Sequence, residues 1–127
     1  MRLLYHPDRK DISLAGVLYA LGDPVRLEIV RLLAIKGEQP CASFDLAIAS
    51  GTARRAIARS TMSHHFKVLR ESGVLYCRKE GTQHLNSLRR DDLDALFPGL
   101  LDAVLQAAQQ SPSNEANRDS FPEITSE

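Results

Sequence analysis

The chain has 127 residues, of which 43% are hydrophobic, and its formal net charge is zero. This length fits one domain with its own core, and the hydrophobic share excludes a chain that is disordered throughout. The charge is unevenly spread, since residues 54–90 contain nine Lys or Arg against two Glu, whereas residues 91–127 contain one Arg against eight acidic residues. The neutral average therefore conceals a basic middle segment whose local field suits phosphate groups.

The start of the chain contains no apolar run long enough for a secretory signal or a membrane span, so we expect a cytoplasmic protein without a membrane partner. The two cysteines, Cys41 and Cys77, are far apart in sequence. In an intracellular chain this favours reduced structural thiols over a disulfide framework. A redox switch formed by the two thiols is the alternative interpretation.

The spacing of apolar residues predicts one helix over 12–21 and a second over 24–36. Gly22 suits the C-terminal cap of the first helix. Asp23 and Pro24 suit the N-cap and the first position of the second helix, and Gly37 should end it. After this helix the pattern is less regular, and we expect a short helix near 43–49 and a loop through about residue 58.

The segment 59–72 gives the clearest helical pattern, with Met62, Phe66 and Leu69 on one face. Gly73 is placed to cap this helix. Two strand-like runs then flank Glu80-Gly81, which predicts a β-hairpin. A helix that is followed at once by a hairpin is typical of a winged helix-turn-helix, in which the helix enters the major groove and the hairpin contacts flanking DNA.

The apolar residues of 91–109 return to a helical period, which Pro98 should interrupt with a kink or a restart. Residues 110–127 are polar and contain two prolines, so we expect a disordered tail. The predicted organisation is one mainly α-helical domain with a small β-hairpin over 1–109, followed by the tail.

Two stretches, LGDPVRLEIVRLLA (21–34) and STMSHHFKVLRESGVLYCRKEGT (60–82), resemble the ArsR/SmtB family of winged-helix repressors. The resemblance covers roughly residues 12–105. It implies a homodimer formed through the first and last helices. It also implies a repressor of transcription that binds a near-palindromic operator in double-stranded DNA. In this family a metal ion or another signal usually releases repression.

The sequence departs from the family pattern in two respects. The segment between Leu46 and Ser60 is about five residues longer than the usual turn of this family. Arsenic sensors carry a close cysteine pair where Cys41 stands alone, and zinc sensors carry histidines on a last helix that here has none. We therefore expect no metal and no cofactor, and a small-molecule or redox effector stays open.

The resemblance and the basic middle segment together predict the DNA-binding residues. On the helix, short side chains suit base edges and long cations suit phosphates; the candidates are Arg59, Ser60, Thr61, Ser63, His64, Lys67 and Arg70. On the hairpin, the candidates are Arg78, Lys79, Thr82, Gln83 and His84. Arg54 and Arg55 fit either a DNA-backbone contact or a surface loop. Adjacent histidines diverge on a helix, so His65 is expected against the core and not in a metal site.

The expected dimer residues are apolar positions on the first and last helices, namely Leu14, Val17, Leu18, Leu100, Leu101, Val104 and Leu105. Ser63 and His64 are neighbours that point apart, so no nucleophile–base pair is predicted and the protein is not expected to be an enzyme. The acidic last third of the chain leaves a protein-interaction module without DNA binding as the alternative function.

Overall fold

The computed structural model describes residues 4–41, 44 and 59–109. Within these ranges the α-helices and β-strands are α1 (Leu14–Leu21), α2 (Pro24–Lys36), β1 (Gln39–Pro40), α3 (Arg59–Glu71), β2 (Leu75–Glu80), β3 (Gln83–Leu88), α4 (Arg90–Leu96) and α5 (Leu100–Gln109). A one-turn 3-10 helix at Arg9–Asp11 precedes α1. The short helix expected near 43–49 and the loop through 58 lie outside the described residues, apart from Phe44, which is buried in the core. The tail predicted for 110–127 also lies outside them.

The end of α1 and the start of α2 lie where the sequence predicts them. The backbone N–H of Gly22 donates to the carbonyl oxygen of Tyr19, which closes the last turn of α1. The Asp23 carboxylate accepts hydrogen bonds from the backbone N–H groups of Val25 and Arg26, and Pro24 occupies the first helical position. These local interactions satisfy orphan groups at both helix ends, so the boundaries can be predicted from sequence.

The sheet is antiparallel, with β3 between β1 and β2. The predicted hairpin of β2 and β3 is confirmed, and its register places Cys77 opposite Asn86. The strand β1 was not predicted, because two residues are too few to show an alternating pattern. It contains Pro40, which is tolerated there because β1 is an edge strand of the described sheet.

The C-terminal helical region is divided, as predicted, near Pro98. The helix α4 ends at Leu96 and α5 begins at Leu100. Proline cannot donate a backbone hydrogen bond and its ring clashes with the preceding helical turn. Gly99 adopts a φ of 84°, a left-handed conformation that turns the chain into α5.

One hydrophobic core joins the helices to the root of the hairpin. Its fully buried members include Ile29, Leu69, Leu75 and Leu93, which lie on α2, α3, β2 and α4. Gly73 ends α3 with a φ of 92°, and a Cβ at this position would lie 2.5 Å from a side-chain carbon of Ile12. The glycine therefore lets the N-terminal segment pack directly against the end of α3.

Candidate nucleic-acid interface

The helix α3 has one buried face and one exposed face. Met62, Phe66 and Leu69 are buried, as predicted, and anchor the helix in the core. The side chains that point outward carry hydroxyl, imidazole and ammonium groups, and they belong to Ser60, Thr61, Ser63, His64 and Lys67. An amphipathic helix of this kind is held rigidly by its apolar stripe, which leaves the polar stripe free for a ligand.

The start of α2 fixes the position of α3 through a buried arginine. The side chain of Arg26 is 7% exposed. Its Nε donates to the carbonyl oxygen of Ala20 at 2.7 Å, and its Nη1 lies 3.3 Å from Nδ1 of His65 on α3. The guanidinium also lies 5.2 Å from the ring centre of Tyr19. Arg26 thus caps the C-terminus of α1, where the helix dipole favours a cation, and it connects this helix end to α3.

His65 packs against the core, as predicted, and faces α2. Burial lowers its pKa; the carboxylate of Asp23 opposes this effect, and the Arg26 guanidinium reinforces it. The neutral ring leaves Nδ1 available to accept from Arg26, whereas a protonated ring would place two cations side by side. His65 therefore has a structural contact, while its neighbour His64 is exposed.

The hairpin extends beyond the core and ends in a two-residue turn. Gly81 has a φ of 64° in that turn, which suits the tight connection between β2 and β3. Lys79 lies opposite His84, and Glu80 lies opposite Gln83; all four side chains are exposed. The tip of the hairpin therefore presents a cation and an imidazole on one face of the ribbon.

Arg78 is exposed but already has a carboxylate partner. Its Nε and Nη2 donate to the two carboxylate oxygens of Glu38, each at 3.0 Å. This bidentate hydrogen bonding by Arg78 lowers the pKa of the Glu38 carboxyl group. Arg78 therefore reaches across the sheet to the residue before β1, and a phosphate at this position would have to displace Glu38.

Arg70 does not share the exposed face of α3. Its side chain is 15% exposed, and its Nε donates to the backbone carbonyl of Tyr5 at 3.1 Å. The helical period is consistent with this placement, since Arg70 lies one turn after the buried Phe66 and its side chain bonds to the N-terminal segment. Arg59 is the first residue of α3, and Arg54 and Arg55 lie outside the described residues.

The predicted dimer residues fall into three groups. Leu14 and Leu18 are exposed on α1, at 46% and 48%. Val17 and Leu101 are buried in the core of their own chain, so the prediction that they contact a partner is corrected. Their positions along α1 and α5 place them on the helix faces that point into the core. The remaining positions are half-buried on α5 and consist of Leu100, Val104 and Leu105.

The two thiols differ in their surroundings. Cys77 is buried on β2, and burial raises the pKa of its thiol, with the nearby Cys41 thiol acting in the same direction. Cys41 is half-buried, and its Sγ lies 3.2 Å from Nδ2 of Asn86. A raised pKa keeps Cys77 protonated and weakly nucleophilic at neutral pH.

The sequence patterns missed Arg26 and Arg89 as structural cations. Arg26 shares a helical face with Ile29, Val30 and Leu33, so the i, i+3, i+4 spacing marks it as a buried charge. No comparable pattern indicates that Arg89 is buried, because one of its partners, the carbonyl of Pro7, lies 82 residues away in the N-terminal segment.

Residues 4–41, 44 and 59–109 contain no group of three or more His, Cys, Asp or Glu side chains arranged to hold a metal ion. The helices in the same ranges include none with the length and apolar character needed to cross a membrane.

Comparison with known proteins supports a regulator of transcription. Residues 21–78 match the helix-turn-helix domain family. The uncharacterized HTH-type transcriptional regulator YceK of Bacillus subtilis is 33% identical over 90 residues, which cover 71% of this chain and 84% of YceK. The arsenical resistance operon repressor of Staphylococcus xylosus is 32% identical over 88 residues, which cover 69% of this chain and 77% of the repressor.

Solved structures show the same fold. A homodimeric winged helix-turn-helix DNA-binding domain from Mycobacterium bovis, a possible ArsR-family regulator, is 26% identical with a TM-score of 0.57 and covers 89% of this chain and 95% of its own. The transcriptional repressor BigR from Xylella fastidiosa is 28% identical with a TM-score of 0.51 and covers 66% of this chain and 85% of its own. These likenesses confirm the resemblance seen in residues 21–34 and 60–82, and the chain belongs to the ArsR/SmtB family of winged helix-turn-helix transcriptional regulators.

Proposed function

We propose that the protein is a homodimeric repressor that places α3 in the major groove of duplex DNA and lays the hairpin on the flanking backbone. The observation that carries this proposal is the division of α3 into a core-anchored apolar face and an exposed face of hydroxyl, imidazole and ammonium groups. An α-helix fits the width of the major groove, and these groups can donate to or accept from base edges and phosphates.

Position along α3 assigns a role to each exposed side chain. Ser60 lies in the first turn, where unpaired backbone N–H groups and the helix dipole favour a phosphate. Thr61, Ser63 and His64 have short exposed side chains that suit base edges. Lys67 follows another turn later, and no ion pair joins its ammonium group to a carboxylate in the described part of the chain. Its charge is thus available for a phosphate.

The exposed apolar side chains of Leu14 and Leu18, with the half-buried ones of α5, form the surface that we assign to the partner subunit. The homodimeric domain from Mycobacterium bovis supports a dimer of the same type. A two-fold dimer presents two copies of α3, so its operator should contain two half-sites separated by one helical turn, about 10 base pairs, or a multiple of it. The proposal places the protein in the cytoplasm, the compartment that holds the DNA in a cell without a nucleus.

The test begins with selection from a pool of random duplexes of about 30 base pairs, a length that accommodates two half-sites. We expect enrichment of a near-palindromic sequence and binding that weakens steeply as the salt concentration rises. Fluorescence anisotropy measures both properties. Failure of the purified dimer to enrich any sequence, with binding no stronger than for random duplex, would refute the proposal.

Substitutions on α3 separate phosphate contacts from base contacts. Lys67→Ala should weaken binding to every duplex by a similar factor and reduce the slope of the salt dependence by about one. Thr61→Ala or Ser63→Ala should instead alter which duplex is enriched. Lys10→Ala is the matched control, since this exposed lysine lies within 4 Å of Asp8 and Asp11. Equal effects of Lys67→Ala and Lys10→Ala would contradict the assignment of α3.

The dimer surface is tested by charge insertion. Leu18→Glu places a carboxylate in the proposed apolar interface and should yield monomers by analytical ultracentrifugation at micromolar concentration. Gln83→Glu is the control, because it adds the same carboxylate at the exposed tip of the hairpin, away from α1 and α5. Dimers that persist in Leu18→Glu, or that dissociate equally in Gln83→Glu, would contradict the assigned interface.

A further inference from the structure

Three consecutive residues near the N-terminus bond to α3, to β2 and to the residue that follows β3. The carbonyl of Tyr5 accepts from Nε of Arg70 on α3 at 3.1 Å. The Nε2 of His6 accepts from the backbone N–H of Cys77 on β2 at 3.0 Å. The carbonyl of Pro7 accepts from Nη1 of Arg89, which follows β3, at 2.8 Å. We call residues 4–8 the N-terminal brace.

His6 occupies the centre of the N-terminal brace. It covers the outer edge of β2, where an N–H group would otherwise be exposed to solvent or to another chain. Its ring centre lies 5.4 Å from that of Tyr76. Burial and the positive charge of Arg70 lower the pKa of His6. These surroundings keep the ring neutral, and a neutral ring is required for Nε2 to act as an acceptor.

Arg89 fixes the other end of the N-terminal brace. Its side chain is 4% exposed, and it donates to the carboxylate of Asp92 at 2.9 Å in addition to Pro7. The guanidinium lies 4.6 Å from the ring centre of Tyr76. Arg9 donates to the other oxygen of Asp92 at 2.7 Å, so the chain that follows the brace is bonded to the same carboxylate. The brace is therefore anchored by charge-assisted bonds at both ends.

We propose that the N-terminal brace sets the position of the hairpin relative to α3, and that His6 is a positioning residue for the recognition of DNA sequence. The inference rests on the proposed function. A dimer that inserts α3 in a groove while the hairpin lies on the adjacent backbone needs both elements at a fixed separation, because errors of about 1 Å weaken directional contacts. The core joins α3 to the root of the hairpin, and the brace adds a second connection on the outer edge of β2.

The test compares two substitutions at His6. Glutamine can place its Oε1 near the position of Nε2 and accept from Cys77, whereas leucine fills similar space without an acceptor. We expect His6→Leu to weaken binding to the duplex enriched by the wild-type dimer by about tenfold, the loss expected for one partly buried hydrogen bond. His6→Gln should stay within about twofold. Tyr5→Ala is the control, since Tyr5 contributes its backbone carbonyl and the residue is 60% exposed.

Binding to random duplex at low salt gives the readout that separates positioning from folding. Such binding depends on charge, which neither variant changes at neutral pH, so it should be the same for all proteins. Loss of preference for the enriched duplex in His6→Leu, with restoration in His6→Gln, supports the inference. Unchanged preference in His6→Leu overturns it, as does an equal loss in both variants.

A second pair of variants covers the case in which His6→Leu does not fold. Arg70→Gln retains a donor for the Tyr5 carbonyl and Arg70→Met removes it, while both lose the same charge. The glutamine variant should retain more sequence preference than the methionine variant, and equal preference overturns the inference. If the wild-type dimer enriches no duplex, the proposed function itself fails and the inference with it.

Discussion

Replacing Arg26 with methionine tests whether a single buried cation holds α1, α2 and α3 together. Methionine preserves much of the apolar stem of arginine but removes every hydrogen-bond donor. The carbonyl of Ala20 then loses its 2.7 Å bond to Nε, and the contact between Nη1 and His65 disappears. The carbonyl of Tyr19 keeps its bond from the Gly22 N–H.

The size of the effect follows from these contacts. A hydrogen bond to a charged group contributes about 1.5–3 kcal/mol, and the cation–π contact with the exposed Tyr19 ring adds about 0.5–1 kcal/mol. The substitution also removes the penalty of burying a charge, which offsets part of the loss. We therefore expect the free energy of unfolding to fall by about 2–3 kcal/mol, a large share of the 5–15 kcal/mol typical of a domain.

Urea unfolding followed by circular dichroism measures this change at fixed protein concentration, since a dimer's stability depends on concentration. With a slope of about 1–3 kcal/mol per molar urea, the midpoint should fall by about 0.7–3 M. Arg31→Met is the matched control on α2, because within the described residues Arg31 pairs only with the nearby Glu28 and its side chain is 29% exposed. Its midpoint should move by less than half as much. Equal shifts would refute the role assigned to Arg26.

Three further outcomes are expected. Gly73→Ala should lower the free energy of unfolding by about 3 kcal/mol, because the left-handed φ and the close packing against Ile12 both oppose a Cβ. Gly81 has a left-handed φ but open space around it, so Gly81→Ala should lower the free energy of unfolding by about 1–2 kcal/mol in the same urea assay. Burial lowers the pKa of His65 in the folded protein below the ordinary value of 6.5, so the unfolded chain binds a proton at a higher pH than the folded protein does. Stability should therefore fall as the pH decreases from about 7.5 to about 5. His65→Asn should make that decrease shallower in urea titrations at both pH values. An aromatic disulfide reagent should label Cys41 before Cys77 in the folded protein, as read by mass spectrometry, because burial raises the pKa of the Cys77 thiol; faster labelling of Cys77 would contradict this order.

The sequence alone determined the features that depend on local interactions. The bounds of α2 were predicted at both ends, since Asp23, Pro24 and Gly37 act within one turn of the helix they delimit. The hairpin and the exposed polar face of α3 were likewise predicted, because alternation and helical period are local properties. The family resemblance in residues 60–82 added the interpretation of that face as a DNA-binding surface.

Tertiary structure decided which long side chains reach the surface. Arg70 and Lys67 look equivalent in sequence, yet Arg70 bonds to Tyr5 while Lys67 remains exposed. The inward orientation of Val17 also depends on how α1 packs against its neighbours. The bond between Arg70 and Tyr5 joins residues 65 positions apart, so no local pattern reports it. The geometry of these contacts is set by the shared core and by the requirement that buried polar groups find partners.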